Sequence, residues 1–286
     1  DKGMLGHTPI RCTVNPTLYK FECEPLTKAQ ESKKVAVVGG GPAGCEAALT
    51  AARRGHQVTL YEKRDFGGAM IEAGKPENKA NIRRLIHYYE EHITRDPNIT
   101  VVKAQADYDT LVNGGFDAVI VANGGKTRRL SVPGGESDRV IYACDYLNGS
   151  RKPAGQRVAV IGGGITGAET ALELHKEGKE VAVVEMTDAF LANPGSACQA
   201  YSIEIAQTDI RIVTGKRLVA VEEGAIHLAD RWGNETTLPT DGVVIAAGFV
   251  PQHDLVEQLE QNTNMEVFHV GDSLRVRQIY DAIHEG

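Results

Sequence analysis

Four short runs rich in β-branched residues set the rhythm of this chain. Val35–Val38, Val58–Tyr61, Val158–Ile161 and Val181–Val184 are almost wholly apolar and are bounded by glycine or by polar residues. That is the pattern of strands buried on both faces of a parallel sheet. Between the members of each pair runs an alanine- and leucine-rich stretch with helical spacing, closed by Gly55 in the first case and by Gly178 in the second. Glycine is favoured just past a helix end because it takes left-handed backbone angles without a Cβ penalty. Later apolar runs, Phe116–Gly125, Gly242–Val250 and Val267–Gly271, predict further strands ending in small residues. Strands alternating with helices predict an α/β fold on parallel sheets.

The two halves of this pattern are copies. At a fixed shift of 123 positions, residues 35–63 and 158–186 share 13 identities in 29. Gly39, Gly41 and Gly44 fall on G-x-G-x-x-G, and so do Gly162, Gly164 and Gly167. In such a loop the first glycine makes the tight turn, the second lets the backbone approach a pyrophosphate, and the third lets the helix pack close to the strand. The helix N-terminus behind the loop carries roughly half a positive charge, which favours an anion. Pro42 suits the first helical turn, where its missing N–H has no partner to lose. Ala43 occupies that turn too, as do Ile165 and Thr166 in the second copy. Each copy closes on a carboxylate, Glu62 or Glu185, 23 residues after its first glycine, where it can accept hydrogen bonds from a ribose diol. One such loop is weak evidence, but two in register predict two nucleotide-containing cofactors in one protein.

The acids also bear on which nucleotide is bound. Glu185 is followed by Met186, Thr187 and Asp188, with no Arg or Lys close by in sequence. A 2′-phosphate there would meet like charge, a repulsion of about 4 kcal/mol per charge pair at ~4 Å and an effective dielectric of about 20. NAD(H) rather than NADP(H) is therefore expected at the second site. Lys63 and Arg64 follow Glu62, so the same reasoning is weaker at the first.

Composition narrows the setting. The net charge of -7 speaks against nucleic acid or an anionic membrane as the main partner. No apolar run reaches the length of a membrane span, and the N-terminus lacks the basic-then-apolar pattern of a signal peptide. Five scattered cysteines, an odd number with no C-x-x-C pair, argue against a disulfide scaffold and make a reducing cytoplasm the expected setting. Residues 1–32 carry Pro9, Pro16 and Pro25 and little periodicity, and read as an extended tail on a surface. The place of the repeat predicts one domain from residues 33–133 with 249–286, and a second, 134–248, inserted into it.

Together these features resemble the two-dinucleotide-binding-domain flavoproteins that include glutathione and thioredoxin reductases. The likeness rests on the acid-ended glycine loops, on Gly67-Gly68 after the second strand, and on Gly271-Asp272 near the end. The absence of a redox C-x-x-C disfavours the disulfide-reducing branches. A closer resemblance is to 2,4-dienoyl-CoA reductase, enoate reductase, trimethylamine dehydrogenase and related NADH:flavin oxidoreductases, the Old Yellow Enzyme-like multidomain family. Cys12-Thr13-Val14-Asn15-Pro16 is similar to the segment carrying the last cluster cysteine of that family, and HQVTLYEK and FGGAMIEAGKPEN are similar as well.

The resemblance implies two Rossmann-like domains in a glutathione-reductase-like arrangement, the second inserted in the first. It implies FAD on the first domain, held by Gly39, Gly41, Pro42, Ala43, Gly44, Glu62, Lys63, Gly68, Ala122, Asn123, Gly124, Gly271 and Asp272. Asp272 would take a ribityl hydroxyl, and can also cap a helix over residues 273–284. It implies NAD(H) on the second domain, held by Gly162, Gly164, Ile165, Thr166, Gly167, Glu185, Ala247 and Gly248.

The family carries an FMN-binding barrel and a C-x2-C-x3-C run ahead of the fourth cysteine, and this sequence has neither. A [4Fe–4S] cluster needs four thiolates. Cys12, with Cys23 eleven positions on, does not supply them, and Cys45, Cys144 and Cys198 lack cluster spacing. The chain is thus expected to be the C-terminal part of a larger enzyme, cut inside its cluster motif. Cys12 would be a cluster ligand, and the cluster and FMN would be present, only in the intact enzyme. The expected role is NADH-oxidising electron input to a reductase of activated C=C bonds. No catalytic acid or base is expected, because the cofactors carry the chemistry. The alternative is a scaffold whose first site holds ADP, as in trimethylamine dehydrogenase-like amine dehydrogenases. The intact second loop with Glu185 weighs against it.

Overall fold

A computed structural model describes residues 12–18, 26–193 and 195–286. Pro9, Cys23 and Pro25, noted above, lie outside the described residues. The chain divides into two compact units, 1–126 with 249–286, and 127–248. The first opens with β1 (Lys34–Val38), α1 (Pro42–Arg53), β2 (Gln57–Tyr61), α2 (Met70–Ala73), α3 (Ala80–Arg95), β3 (Ile99–Val102), α4 (Tyr108–Asn113) and β4 (Ala118–Val121). The second holds β5 (Val140–Tyr142), α5 (Ala143–Leu147), β6 (Arg157–Ile161), α6 (Ile165–Lys176), β7 (Glu180–Val184), α7 (Ser196–Ile205) and β8 (Arg211–Val213). A meander follows, β9 (Arg217–Glu222), β10 (Ala225–Ala229) and β11 (Glu235–Pro239), and then β12 (Gly242–Ile245). The chain returns to the first unit for α8 (Asp254–Asn262), β13 (Glu266–His269) and α9 (Ile279–Glu285).

Each unit is centred on a five-stranded parallel sheet, ordered β13-β4-β1-β2-β3 in the first and β5-β12-β6-β7-β8 in the second. In β1, Val35 and Val37 pack with α1 and α3, while Ala36 and Val38 face Leu111 and Leu259 on the other side. Burial of both faces is why the strand reads as a continuous apolar run. In the second sheet one face meets α6 and α7 through Leu172, Leu174 and Tyr201. The other is covered by the meander through Leu218, Ile226 and Leu228. The strands finish level. Val38 pairs with Tyr61 and Val121, and Ile161 with Val184 and Ile245. Ligands of open α/β sheets bind beyond such a carboxyl edge.

Helix α1 comes close to its sheet because its inner face is small: Ala48, Ala51 and Ala52 are buried there. The closest approach is at the third loop glycine. A Cβ on Gly44 would overlap the carbonyl oxygen of Gly39, and a Cβ on Gly167 that of Gly162. The repeat also carries a buried glutamate at matching positions, Glu46 and Glu169, each paired with a tyrosine of a later helix. Tyr89 donates to Glu46 (3.1 Å) and Tyr201 to Glu169 (2.7 Å). Burial pushes the Glu46 carboxyl above its usual range, against the opposing hydrogen bond from Tyr89. Cys45 is fully buried with its thiol on the Gly40 carbonyl, and burial pushes that thiol up. It packs as a small apolar group rather than serving as a nucleophile.

Three expectations are corrected. Residues 127–133, placed on sequence with the first domain, pack with the second: Leu130 and Val132 join its core, and Val221 donates to the Pro133 carbonyl. Around residues 15–18 the tail is not extended, because residues 16–18 turn and the Asn15 side chain accepts from the Thr17 N–H and hydroxyl (3.1 and 2.7 Å). No helix spans 273–284. A 3₁₀ turn covers Gly271–Ser273, and α9 starts only at Ile279 under a capping box formed by Gln278 and Asp281. Among the described residues, no helix is long and apolar enough to cross a membrane.

Because the third glycine abuts backbone, Gly44→Ala and Gly167→Ala are each expected to cost at least about 2 kcal/mol of stability. Denaturant unfolding of the variants checks this. A loss below about 0.5 kcal/mol would show that the loop has room the geometry denies it.

Candidate functional site

At the carboxyl edge of the first sheet the glycine loop is tied into the strands. The Gly39 N–H donates to the Tyr61 carbonyl (2.8 Å) and Ala122 N–H to Val38 (2.9 Å). Gly39 has φ +106°, and a Cβ there would overlap the Ala122 carbonyl oxygen. Glu62 is buried and its carboxylate holds the loop. Oε2 accepts from the Gly40 N–H (2.7 Å) and Oε1 from the Arg64 N–H (2.6 Å). The Gly40 carbonyl in turn accepts from Gly67 (2.8 Å). Gly68, at φ +53°, stands opposite Gly41, where a Cβ would lie 3.0 Å from the Gly41 Cα.

Gly41 differs from its neighbours. Its φ of −75° and ψ of −178° suit any residue, and an added Cβ would find nothing nearer than Gly68 Cα at 3.9 Å. Neither conformation nor packing within the chain calls for glycine there. Pro42 and Ala43 form the first turn of α1 behind it. Beside the loop lies a cleft of about 390 Å³, lined among others by Gly39, Glu62, Lys63, Ala106 and Asn123. Asn123 Oδ1 is buried without a hydrogen-bond partner, a state that costs about 1–3 kcal/mol unless a ligand or water supplies a donor. Lys63 reaches Gln105 (3.2 Å). Gly124 sits at φ +72°, and the Gln252 amide donates to the carbonyls of Asn123 and Gly124 (3.2 and 2.9 Å). Gly271, at φ +69°, lies against Ala43, and its N–H donates to Glu285 (2.9 Å). Burial pushes the Asp272 carboxyl up, while the Arg277 N–H donates to its Oδ1 (2.9 Å). The first set of sequence-predicted residues therefore gathers along one sheet edge.

The second unit repeats this construction. Gly162 N–H donates to Val184 (2.8 Å) and Ala246 N–H to Ile161 (2.7 Å). Gly162, at φ +119°, leaves no room for a Cβ beside the Ala246 carbonyl. Glu185 Oε2 accepts from the Gly163 N–H (2.7 Å), and Oε1 accepts from the Thr187 N–H and hydroxyl (2.7 and 2.8 Å). Gly164 has φ −81° and ψ −174°, and a Cβ there would meet nothing within 4 Å. Ile165 and Thr166 open α6. Ala247 follows Ala246, and Gly248, at φ +80°, accepts at its carbonyl from Arg128 N–H (2.9 Å). The Gly163 carbonyl accepts from Leu191 (2.9 Å), which at φ 51° is the one non-glycine in the left-handed region among the described residues. Where the first unit closes this loop with Gly67, the second does so with a strained leucine.

Sequence reasoning missed Gly40 and Gly163, the donors to the two acids. A signal existed: both are glycine in both copies although the fingerprint leaves that position free, and a Cβ would come within 3.0 Å of Glu62 or 2.8 Å of Glu185. Gln252 carried no such signal. No Arg or Lys lies close to Glu185 in sequence, but two come to its segment in space. Lys216 N–H donates to the Glu185 carbonyl (3.1 Å), and Arg231 pairs with Asp188 at 3.6 Å. Cys12 is half-buried, and its carbonyl lies 2.9 Å from His284 Nε2. Among the described residues no three His, Cys, Asp or Glu side chains gather as a metal-ligand set.

Residues 33–285 match the model of the pyridine nucleotide-disulphide oxidoreductase family. The chain is 33% identical over 293 residues to a cinnamate reductase of Clostridium sporogenes, covering 99% of this chain and 43% of that protein. It is 32% identical over 284 residues to an NADH oxidase of Thermoanaerobacter brockii, covering 97% and 44%. Among solved structures, a 2-naphthoyl-CoA reductase in complex with 2-naphthoyl-CoA superposes with a TM-score of 0.86 at 30% identity, over 97% of this chain and 43% of the other. The chain thus spans less than half the length of these relatives.

Each acid holds its own loop through hydrogen bonds to backbone of the same chain. Glu62→Gln and Glu185→Gln turn an amide NH₂ toward backbone N–H groups. Each is expected to cost about 1–3 kcal/mol of stability in nucleotide-free protein. Thermal unfolding after removal of nucleotide reads this directly. Unchanged stability would mean that the carboxylates serve a ligand alone.

Proposed function

Because this chain belongs to the pyridine nucleotide-disulphide oxidoreductase family, whose members bind FAD and NAD(P)H, we propose that its first unit holds FAD and its second NADH, as the electron-input module of a larger reductase. The observation that carries this is the pair Gly41 and Gly164. Each stands at the N-terminus of a 12-residue helix, in a conformation open to any residue, with space where a side chain would fit. A glycine that the protein's own packing does not require leaves its backbone open to an incoming pyrophosphate.

On the first unit, Gly41, Pro42 and Ala43 present the helix N-terminus, and Gly68 keeps the opposite wall of the loop bare. Glu62 keeps lone pairs beyond its two backbone hydrogen bonds to accept from a ribose diol. Asn123 Oδ1, buried and unpaired, awaits a donor, and the cleft that Asn123 lines has room for the adenosine end. Gly271 and Asp272 stand beside the first turn of α1, where a carboxyl raised by burial can accept from a flavin side-chain hydroxyl. On the second unit, Gly164, Ile165 and Thr166 present the equivalent helix N-terminus and Glu185 the ribose acid. When bound, FAD would supply the hydride-accepting and electron-passing chemistry. The chain's residues position and exclude, and none is required to move a proton.

The names of the relatives support an activated C=C bond as the final electron acceptor, in parts of the larger protein beyond these units. Cys12 is proposed as a ligand to an iron–sulfur cluster assembled with cysteines of that larger protein, and FMN as a cofactor there.

Purified protein supplied with FAD is expected to be yellow. Anaerobic NADH is expected to bleach it, faster at equal concentration than NADPH does, and NADH-dependent ferricyanide reduction should require the flavin. A colourless protein that retains ADP, or a bound flavin that NADH leaves oxidised, would overturn the proposal.

A further inference from the structure

The hairpin between β10 and β11 is built more firmly than a surface turn needs. Asp230 Oδ1 accepts from the Trp232 and Asn234 N–H groups (2.9 Å each), and Oδ2 from the Asn234 amide (3.0 Å). Gly233, at φ +87°, completes the turn. The Asn234 amide, these N–H groups and the ammonium of Lys216 hold the Asp230 carboxyl below its usual range. At the tip, Trp232 is 73% exposed, the chain's sole tryptophan, with the Arg231 guanidinium 4.4 Å from its ring centre. An exposed indole on a pinned turn costs apolar burial and contributes nothing to the core.

The position of the tip gives it a use. Lys216 bonds Asp230 through its ammonium at 3.6 Å and the Glu185 carbonyl through its N–H at 3.1 Å. Gly215 N–H donates to Thr187 (2.8 Å), and Arg231 pairs with Asp188 at 3.6 Å. The hairpin is thus tied to both segments that leave β7 and β8, immediately beyond the ribose acid. In a Rossmann-like sheet the adenosine lies over that corner. Glu185, Asp188 and Asp230 outnumber Lys216 and Arg231 there by one negative charge.

We propose that residues 230–234 form the adenosine-end lip of the nicotinamide-dinucleotide site, with Trp232 stacking on the adenine and the Asp188–Arg231 pair selecting against a 2′-phosphate. This rests on the assignment of the second unit to a nicotinamide dinucleotide. Arg231 covers one face of the indole and leaves the rest to a base, since stacking on an aromatic side chain needs no hydrogen-bond code. Asp188 opposes an added phosphate twice, by its own charge and by occupying Arg231, the only cation whose guanidinium the tip carries outward.

The test uses the emission of Trp232, free of other tryptophan signal from this chain, during titration with ADP-ribose, NADH and NADPH. Calorimetry runs in parallel. ADP-ribose is expected to change the emission saturably, and Trp232→Leu to weaken ADP-ribose by about tenfold. Asp188→Asn is expected to tighten NADPH by about fivefold or more while leaving NADH within about twofold, and Arg231→Gln added to it should remove the gain. ADP-ribose binding in the calorimeter without any change in Trp232 emission overturns the stacking role. A gain for NADPH that survives in the Asp188→Asn/Arg231→Gln double variant, or no gain at all, overturns the selection role. If wild-type protein binds no ADP-ribose, the dinucleotide assignment itself falls and takes the lip with it.

Discussion

Each unit depends on one contact, the third loop glycine lying bare against the carbonyl of the first. That contact lets the helix start directly over the strand end, so the helix N-terminus, with its unpaired N–H groups, points along the sheet edge rather than away from it. The rest follows from that placement. Because the loop has turned so tightly, the carboxylate at the end of the neighbouring strand meets the N–H of the residue after the first glycine. The acid, buried at Glu62 and half-buried at Glu185, then fixes the loop that a nucleotide would use. The strand beyond runs into Ala122 or Ala246, whose carbonyl fills the space that the first glycine leaves.

This separates the glycines into two kinds. Gly39, Gly44, Gly162 and Gly167 are required by the fold, since a Cβ at any of them meets backbone. Gly41 and Gly164 are not, and they are the positions assigned to the proposed ligands. The same division applies to the acids. Their role in holding the loops is visible in the chain's own hydrogen bonds, and each keeps lone pairs beyond them.

What could be read from sequence follows the range of the interactions. The strands were legible as apolar runs; the helix ends at Gly55 and Gly178 and the first and third glycines of both loops were legible because left-handed φ or close approach leaves glycine as the only choice. Glu62, Glu185 and Asp272 could be seen as acids in the right places. The loop-holding bonds of the two glutamates could not, since they depend on where two carboxylate oxygens fall. The helix expected after Asp272 failed because the Asp272 carboxylate binds the Arg277 N–H and closes a turn instead. Residues 127–133 were misplaced because their partner, Val221, lies far along the chain. For the same reason Lys216 and Arg231 beside the second acid were invisible: no local pattern brings a meander tip to a strand end.

Two cradles built alike, save for Gly67 in one and Leu191 in the other, are assigned two different nucleotides, and two mild substitutions test this. Gly41→Ala and Gly164→Ala add a methyl group where the protein has room for it, so both variants should fold. FAD and ADP-ribose affinities measured by calorimetry on each should dissociate: Gly41→Ala loses FAD and keeps ADP-ribose, and Gly164→Ala does the reverse. Retention of both nucleotides by either variant, or loss of the same nucleotide by both, would contradict the account.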